Sequence, residues 1–320
     1  MQRIAITGSS GNYASKLIEH IRRDWPDATI LGIDVAPPAP GFEPHEFVKH
    51  DIRSPDVRTT LEKFQPDTIM HLAFVLNPIR DLALMHDINV NGAKNVFEAV
   101  RTIQPQRFMM ASSATAYGAW DDNPVPMDES WPLRARTDFQ YSADKTELEA
   151  AVLKLAEELP NVAVSWTRPT IIGGARVDNY LTRLIINLPV IMLLDGFDTP
   201  LQWVHEEDCA AATLTILKHS ARGPFNISPS DWVFMSQVAK LTNRRQVKIP
   251  LWTVRLFTKV WWKLHLPVFH FPPSLHYFAR YPWVIAPNRL TNELGFKFQY
   301  SAQDTLMEMW NAHQQRKQQK

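Results

Sequence analysis

The segment Arg3-Ile4-Ala5-Ile6-Thr7 is a short apolar run of the kind that forms a buried strand, and it opens straight into Gly8-Ser9-Ser10-Gly11-Asn12-Tyr13-Ala14. Apolar residues at helical spacing resume at once in Ser15-Lys16-Leu17-Ile18-Glu19-His20-Ile21. The two glycines therefore stand on a strand-to-helix turn, and that placement narrows the possible folds more than any other feature of the chain. Gly8 permits the tight turn, Gly11 lets the backbone approach a pyrophosphate, and Ala14 is small enough for a helix to pack closely on the strand. Ser10, Asn12 and Tyr13 complete the turn, and the helix N-terminus then faces the phosphates. The chain has only 11 glycines in 320 residues, so two inside a four-residue window are a concentrated signal.

A second apolar run, Ala28-Thr29-Ile30-Leu31-Gly32-Ile33, ends in Asp34. A carboxylate about twenty residues beyond such a loop accepts hydrogen bonds from an adenosine ribose. No Arg or Lys follows Asp34 before Lys49, so a 2′-phosphate there would meet uncompensated negative charge. NAD is therefore the expected cofactor, in preference to NADP. Far downstream, Tyr141 and Lys145 lie one helical turn apart. A phenol titrates near 10, and bringing it to neutrality takes about 4 kcal/mol. Lys145 is expected to supply much of that, an oxidised nicotinamide adds a second positive charge, and Ser113 is placed to hydrogen-bond the substrate oxygen as it becomes a carbonyl.

These residues form an ordered set: Thr7 to Ala14, Asp51-Ile52, His71-Leu72-Ala73, Asn89-Val90-Asn91-Gly92, Ser112-Ser113-Ala114-Thr115-Ala116-Tyr117-Gly118, Tyr141-x-x-x-Lys145 and Arg168-Pro169. In that order the chain resembles the extended short-chain dehydrogenase/reductase family, the NAD-dependent epimerase/dehydratase group, over most of its length. Trp203-Val204-His205-x-x-Asp208 and Glu293-Leu294-Gly295-Phe296 extend the resemblance. It implies that Asp51 and Ile52 lie beside adenine, and that Leu72, Ala73, Phe74, Asn91, Pro169 and Ile171 sit with the cofactor. It also implies that Lys145 bonds the nicotinamide ribose and that Tyr141 and Ser113 flank the reacting carbon. Asn91 is expected to brace the sheet or the site, and His71 to support the cofactor loop. Thr115 either touches substrate or caps a turn, and Trp203 is expected on the substrate side. A homodimer through the helices around residues 85 to 104 and 141 to 159 is a further implication.

Strand and helix patterns alternate through the first half, which predicts an α/β fold with a doubly wound parallel Rossmann sheet and a smaller C-terminal substrate-binding lobe. The division expected is 1–168 for NAD binding, with 203–220 returning to it, and 169–202 plus 221–313 for the lobe. Residues 314–320 read as a disordered tail. With 45% hydrophobic and 21% charged residues and a formal net charge of +1, nothing suggests a nucleic-acid partner. The first strand begins at residue 3 and no apolar run reaches the roughly 18 residues of a membrane span, so a cytoplasmic location is expected. The single cysteine, Cys209, reads as a buried structural thiol, and no metal site is expected.

The reaction is less constrained. The resemblance places an Asp-Glu pair after the catalytic hydroxyl residue in 4,6-dehydratases, whereas this chain has Ala114-Thr115. Ser-Ala-Thr in that place is similar to the sugar-nucleotide 4-epimerases. Those enzymes, however, grip a diphosphate with an Arg where this chain has Leu201, and only Arg280 stands near a further expected Arg. The lobe is instead aromatic and aliphatic, with Val254, Phe257, Trp261 and Leu264 on one helical stripe and an apolar run at Leu266–Phe271. That stripe is read first as a helix packed on its own lobe, with a pocket for an apolar alcohol or ketone, or a membrane or partner surface aided by Arg255, Lys259 and Lys263, as sharper readings. The expected function is an NAD-dependent oxidoreductase or epimerase acting on the secondary hydroxyl or ketone of a small molecule. A nucleotide-sugar 4-epimerase, and a non-catalytic NAD sensor or interaction protein, stay open beside it.

Overall fold

The structure is a computed structural model that describes residues 1–77, 79–177, 180–263 and 273–318. In the first part, strands β1 (Arg3–Thr7), β2 (Thr29–Asp34), β3 (Glu46–Lys49), β4 (Thr68–His71), β5 (Arg107–Ala111) and β6 (Ala163–Pro169) alternate with helices α1 (Asn12–Asp24), α2 (Asp56–Phe64), α3 (Leu82–His86), α4 (Gly92–Ile103) and α5 (Gln140–Glu158). The second part contributes α6 (Tyr180–Ile186), α7 (Glu206–Lys218), α8 (Met235–Leu241), α9 (Leu251–Lys263), α10 (His276–Arg280), α11 (Asn288–Asn292) and α12 (Ala302–Gln318). Its strands are β7 (Ile171–Gly173), β8 (Val190–Leu194), β9 (Pro200–Leu201), β10 (Trp203–His205), β11 (Gly223–Ile227), β12 (Val233–Phe234) and β13 (Arg245–Ile249).

The main sheet has seven strands in the order β11-β6-β5-β4-β1-β2-β3, every pairing parallel. Both faces are buried, as an all-parallel sheet requires. Ile4, Ile6, Met70 and Met109 turn to α1 and α7, whereas Ala5, Ile69, Phe108 and Met110 turn to α2, α4 and α5. The strand order reverses between β1 and β4, which opens a crevice at the carboxyl ends of those two strands. The doubly wound fold expected from the sequence is the one observed.

Two boundaries differ from the sequence reading. β11 completes the main sheet beside β6, with Gly223 opposite Ser165 and Ile227 opposite Pro169. Residues 223–227 therefore belong to the nucleotide-binding body and not to the lobe. The reason is that Phe225 and Ile227 are fully buried and α7 delivers the chain back to the sheet edge, a long-range pairing that local pattern does not encode. The second difference is the tail. α12 continues to Gln318, because Ala302, Thr305, Leu306 and Met309 anchor its buried face and the Gln, Arg and Lys residues that follow are good helix formers.

In the lobe, β8 and β13 pair in parallel beside α8, α9 and α10 around a second core that includes Ile171, Leu201, Trp203, Phe278 and Trp283. The stripe of α9 is described as far as Trp261. Leu264 and the run at Leu266–Phe271 lie outside the described residues.

Candidate active site

The residues singled out on β1, β2, β4, β5 and β6 meet at the carboxyl ends of those strands. Gly8 has φ +74°, and a Cβ built on it would stand 2.5 Å from the backbone nitrogen of Ala73, so only glycine fits between β1 and the loop after β4. Gly11 is the N-cap of α1, and no side chain caps that helix or places an acid in its first turn. Gly11 and Asn12 are exposed. An uncapped, acid-free helix N-terminus bordered by a close glycine turn suits a pyrophosphate. The backbone of Tyr13 belongs to this turn, but its hydroxyl bonds Thr213 between α1 and α7, away from the crevice.

Asp34 ends β2 with its carboxylate fixed by Ser10 N (3.0 Å) and Ala36 N (3.0 Å), while Ser10 Oγ donates to Ala36 O (2.6 Å). Negative charge is thus held at the ribose end of the phosphate turn. NAD is expected to bind at least tenfold more tightly than NADP, and Asp34→Ala should narrow that ratio. Titration calorimetry with both dinucleotides checks this, and equal affinities in the native chain would remove Asp34 from ribose recognition.

His71 closes β4 and its Nδ1 lies 2.7 Å from Thr7 Oγ1. Burial, with Lys145 nearby, draws the imidazole down to about 3, so it stays neutral and holds the β1 and β4 ends together. Ile52 is buried against Gly92, where a Cβ would clash with it at 2.6 Å. Asp51 pairs with Arg53 at 2.7 Å, which holds its carboxyl below the usual range.

Two expected placements, those of Asn91 and Trp203, are corrected. Asn91 bonds only Asp87 on the exposed side of its helix (2.8 Å). The brace is Asn89, whose Oδ1 accepts from Val75 N (2.8 Å) and whose Nδ2 donates to Asp144 Oδ2 (2.9 Å). A π-helical turn at Asp87–Asn91 joins α3 to α4, and residues two apart on a helix point to opposite sides. Asp144, fully buried, also receives Gln140 Nε2 (2.6 Å) and contacts His86 Nδ1 (2.8 Å), so it anchors the loop that carries Phe74. Ile171, expected beside the cofactor, lines a cavity in the lobe. Trp203 is fully enclosed, opposite Ile171 in the β10–β7 pair, and presents no surface to a substrate.

Ser113, Tyr141 and Lys145 come together between β5 and α5. Ser113, and not Thr115, caps the short turn Ala114–Tyr117, accepting from Thr115 N (3.2 Å) and Thr115 Oγ1 (3.0 Å). Accepting twice leaves the Ser113 hydroxyl hydrogen to donate elsewhere. Burial pushes the Tyr141 phenol up to about 12, with Ser113 acting the other way. Burial draws the Lys145 ammonium down to about 7, opposed by Glu149 and Asp144. The expected lowering of the phenol by Lys145 is therefore absent from this arrangement. Lys145 Nζ donates to Ala111 O (2.6 Å) and sits 3.6 Å from the centre of the Phe74 ring and 5.8 Å from that of Tyr141. Phe74 itself packs edge-on against Tyr141 at 5.2 Å.

Below the site lies a buried network that the sequence reading does not anticipate. Glu149, one turn beyond Lys145, accepts from Ser112 Oγ (2.5 Å), Trp166 Nε1 (2.8 Å) and Arg168 Nε (2.9 Å). Arg168 also donates to Tyr117 OH (2.7 Å). The spacing of Tyr141, Lys145 and Glu149 at i, i+4 and i+8 is the one sequence signal that points to it. Cys209 is buried in α7, and burial pushes its thiol up to about 12, as an inert structural thiol requires.

Beyond the reacting groups, a cavity of about 470 Å³ opens in the lobe between β8, β13, α9 and α10. Val254, Phe257 and Trp261 of the α9 stripe line it, with Leu201, Phe278 and Trp283 opposite. Thr253, Thr258 and His276 are its polar members, and no Asp, Glu, Lys or Arg lines it among the described residues. The buried ring of Phe139 stands between it and the site, with ring centres 5.2 Å from Phe278 and 5.8 Å from Tyr141. Arg280 does not serve the cavity, since it pairs with Asp195 (3.6 Å) and stacks on Phe197 (4.3 Å).

Comparison with known proteins places this arrangement. An uncharacterised protein of Mycobacterium tuberculosis is 27% identical over 208 residues, covering 64% of this chain and 55% of that protein. The 3beta-hydroxysteroid-dehydrogenase/decarboxylase isoform 1 of Arabidopsis thaliana is 26% identical over 283 residues, covering 77% of this chain and 63% of that one. The chain thus matches little more than half the length of these relatives. The fold is shared across its whole length with a UDP-glucose-4-epimerase of Stenotrophomonas maltophila crystallised with bound NAD and formylated UDP-arabinopyranose, at a TM-score of 0.77 and 15% identity, covering 100% of both chains. The family model for the NAD dependent epimerase/dehydratase family matches residues 4–228, from the first strand through the glycine turn and the Tyr141/Lys145 helix to β11, and the chain belongs to that family.

Proposed function

We propose that this protein is an NAD-dependent oxidoreductase that interconverts a secondary alcohol and a ketone on an apolar small molecule. The observation that carries this reading is the cavity of about 470 Å³ with no Asp, Glu, Lys or Arg among its described lining residues, parted from Tyr141 by the single ring of Phe139. A volume of that order encloses a compact polycyclic or branched molecule. A sugar nucleotide would have to place its diphosphate against Leu201, and a buried anion without a cation costs several kcal/mol. The plant relative named for a hydroxysteroid substrate is in keeping with this class.

The glycine turn, the α1 N-terminus and Asp34 fit NAD, which supplies a hydride acceptor or donor when bound. The chain's own residues then manage the proton. Ser113 donates to the substrate oxygen and holds it beside Tyr141. With its phenol neutral, Tyr141 gives a proton to a ketone oxygen as the alcohol forms. In the opposite direction the Lys145 ammonium, which lies over the rings of both Phe74 and Tyr141, favours the deprotonated phenol. Phe74, on the loop held by Asn89, packs against both members of the pair. A homodimer through α4 and α5 belongs to the same reading, and Leu153 is half exposed on α5 for that purpose.

The test compares NAD reduction with hydroxysteroids and other apolar secondary alcohols against epimerisation of UDP-, dTDP- and GDP-sugars. Turnover is expected only in the first group, with kcat/KM rising as apolar surface is added. Leu201→Arg should depress it at least tenfold by placing a charge in the cavity. Epimerisation of any sugar nucleotide, with no alcohol oxidised, would replace this reading with the 4-epimerase one.

A further inference from the structure

Helix α9 is apolar on two opposite sides. At 100° per residue, Val254, Phe257 and Trp261 fall on the side that lines the cavity. Trp252, Leu256 and Val260 fall on the other, where they are 66%, 56% and 45% exposed. Phe257, half exposed, stands at the border between them, so the outer face adjoins the mouth of the cavity. No helix among the described residues is long and apolar enough to cross a membrane.

Charge is segregated to the same region. Residues 232–292 contain nine Lys and Arg and no Asp or Glu, although the whole chain has 34 of the former and 33 of the latter. The remainder of the protein is therefore net negative. Lys240, Arg245, Lys248 and Lys259 are exposed on α8, β13 and α9, and among the described residues no ion pair engages them. α9 itself has no acidic residue.

We propose that the outer face of α9, with the cations of α8 and β13, docks on an anionic lipid surface. Large apolar side chains set among unpaired cations on a helix whose described residues, Leu251–Lys263, are too few to span are the pattern of a helix lying in the headgroup plane, with Trp252 at the boundary between apolar and wet layers. A second copy of the chain is a poor occupant, because a two-fold contact would set this acid-free region against itself. An anionic bilayer offers both complements at once: headgroups for the cations and acyl chains for Trp252, Leu256 and Val260. It also places the cavity mouth at the lipid, where an apolar substrate is most concentrated; this last consequence rests on the function proposed above, and the docking does not.

Co-sedimentation of the full chain with vesicles of phosphatidylcholine, with and without phosphatidylserine, tests it. Binding is expected at least tenfold stronger to the anionic vesicles and weaker as salt rises. The pairs Trp252→Ser with Leu256→Ser, and Lys248→Glu with Lys259→Glu, should each lower it at least tenfold. None of these four side chains lines the cavity or the cofactor crevice, so NAD binding should stay unchanged, which also reports that the variants fold. Protein left in the supernatant with every vesicle overturns the proposal. So does an unchanged affinity in both pairs, or a loss of oligomer mass in the Trp252/Leu256 pair without loss of vesicle binding, which would assign the face to a second copy. Vesicle binding is read without turnover, so its failure leaves the alcohol assay standing, and the reverse.

Discussion

Tyr141→Phe is expected to lower kcat by about a thousandfold or more, on the order of 4 kcal/mol of barrier, while the dissociation constant for NAD stays within about twofold. The ring is retained, so its contacts with Phe74 (5.2 Å) and Phe139 (5.8 Å) survive and the lobe keeps its packing. Only the hydroxyl, which lies near Ser113, is lost. Single-turnover kinetics with NAD and an apolar alcohol, alongside calorimetric NAD titration, give both quantities. A Phe variant that still turns over within tenfold of the native chain would end the assignment of Tyr141 as the proton-transfer group. Ser113→Ala is a less clean probe, because Ser113 also caps the turn at Ala114–Tyr117.

The second large effect lies in stability. Glu149→Leu is expected to destabilise the protein by about 3–5 kcal/mol, because it strands the buried Arg168 guanidinium and leaves Ser112 and Trp166 without their acceptor. For a chain of this size that corresponds to a fall in Tm on the order of 10 °C. The double variant Glu149→Leu with Arg168→Met should recover most of the loss, since an apolar pair of similar volume replaces two charges that had to be desolvated. Thermal unfolding of the singles and the double, arranged as a cycle, measures this. A double variant that loses the sum of the two single effects would show that the ion pair is not the source of the destabilisation.

Much of the nucleotide-binding half is legible in the sequence, because its determinants are local. Gly8 and Gly11 lie within one turn of the strand they follow, and the unbroken apolar run of Ile4, Ala5 and Ile6 already states that both faces of that strand are covered. Tyr141 and Lys145 share a helix face by periodicity alone. The brace on the cofactor loop is a different matter. The motif offers both Asn89 and Asn91, and only the π-helical turn and the buried Asp144 across the interface decide that Asn89, rather than the expected Asn91, turns inward. The composition of the tail suggests disorder, yet Leu306 and Met309 bind α12 to the lobe and the helix carries its polar end along with it.

Sequence alone therefore determines the alternation of strands and helices, the glycine turn and the pairing of Tyr141 with Lys145 on one helix face, since each depends on residues a few positions apart. Tertiary structure decides the rest. It places β11 in the main sheet, joins Glu149 to Arg168 through 19 positions of sequence, and gathers Leu201, Val254, Phe257 and Phe278 around one cavity. It also buries Tyr141 and Lys145 against Phe74, and that burial raises the phenol and lowers the ammonium. Burial and the positions of charges set such properties, and both are fixed by contacts between segments that no local periodicity relates.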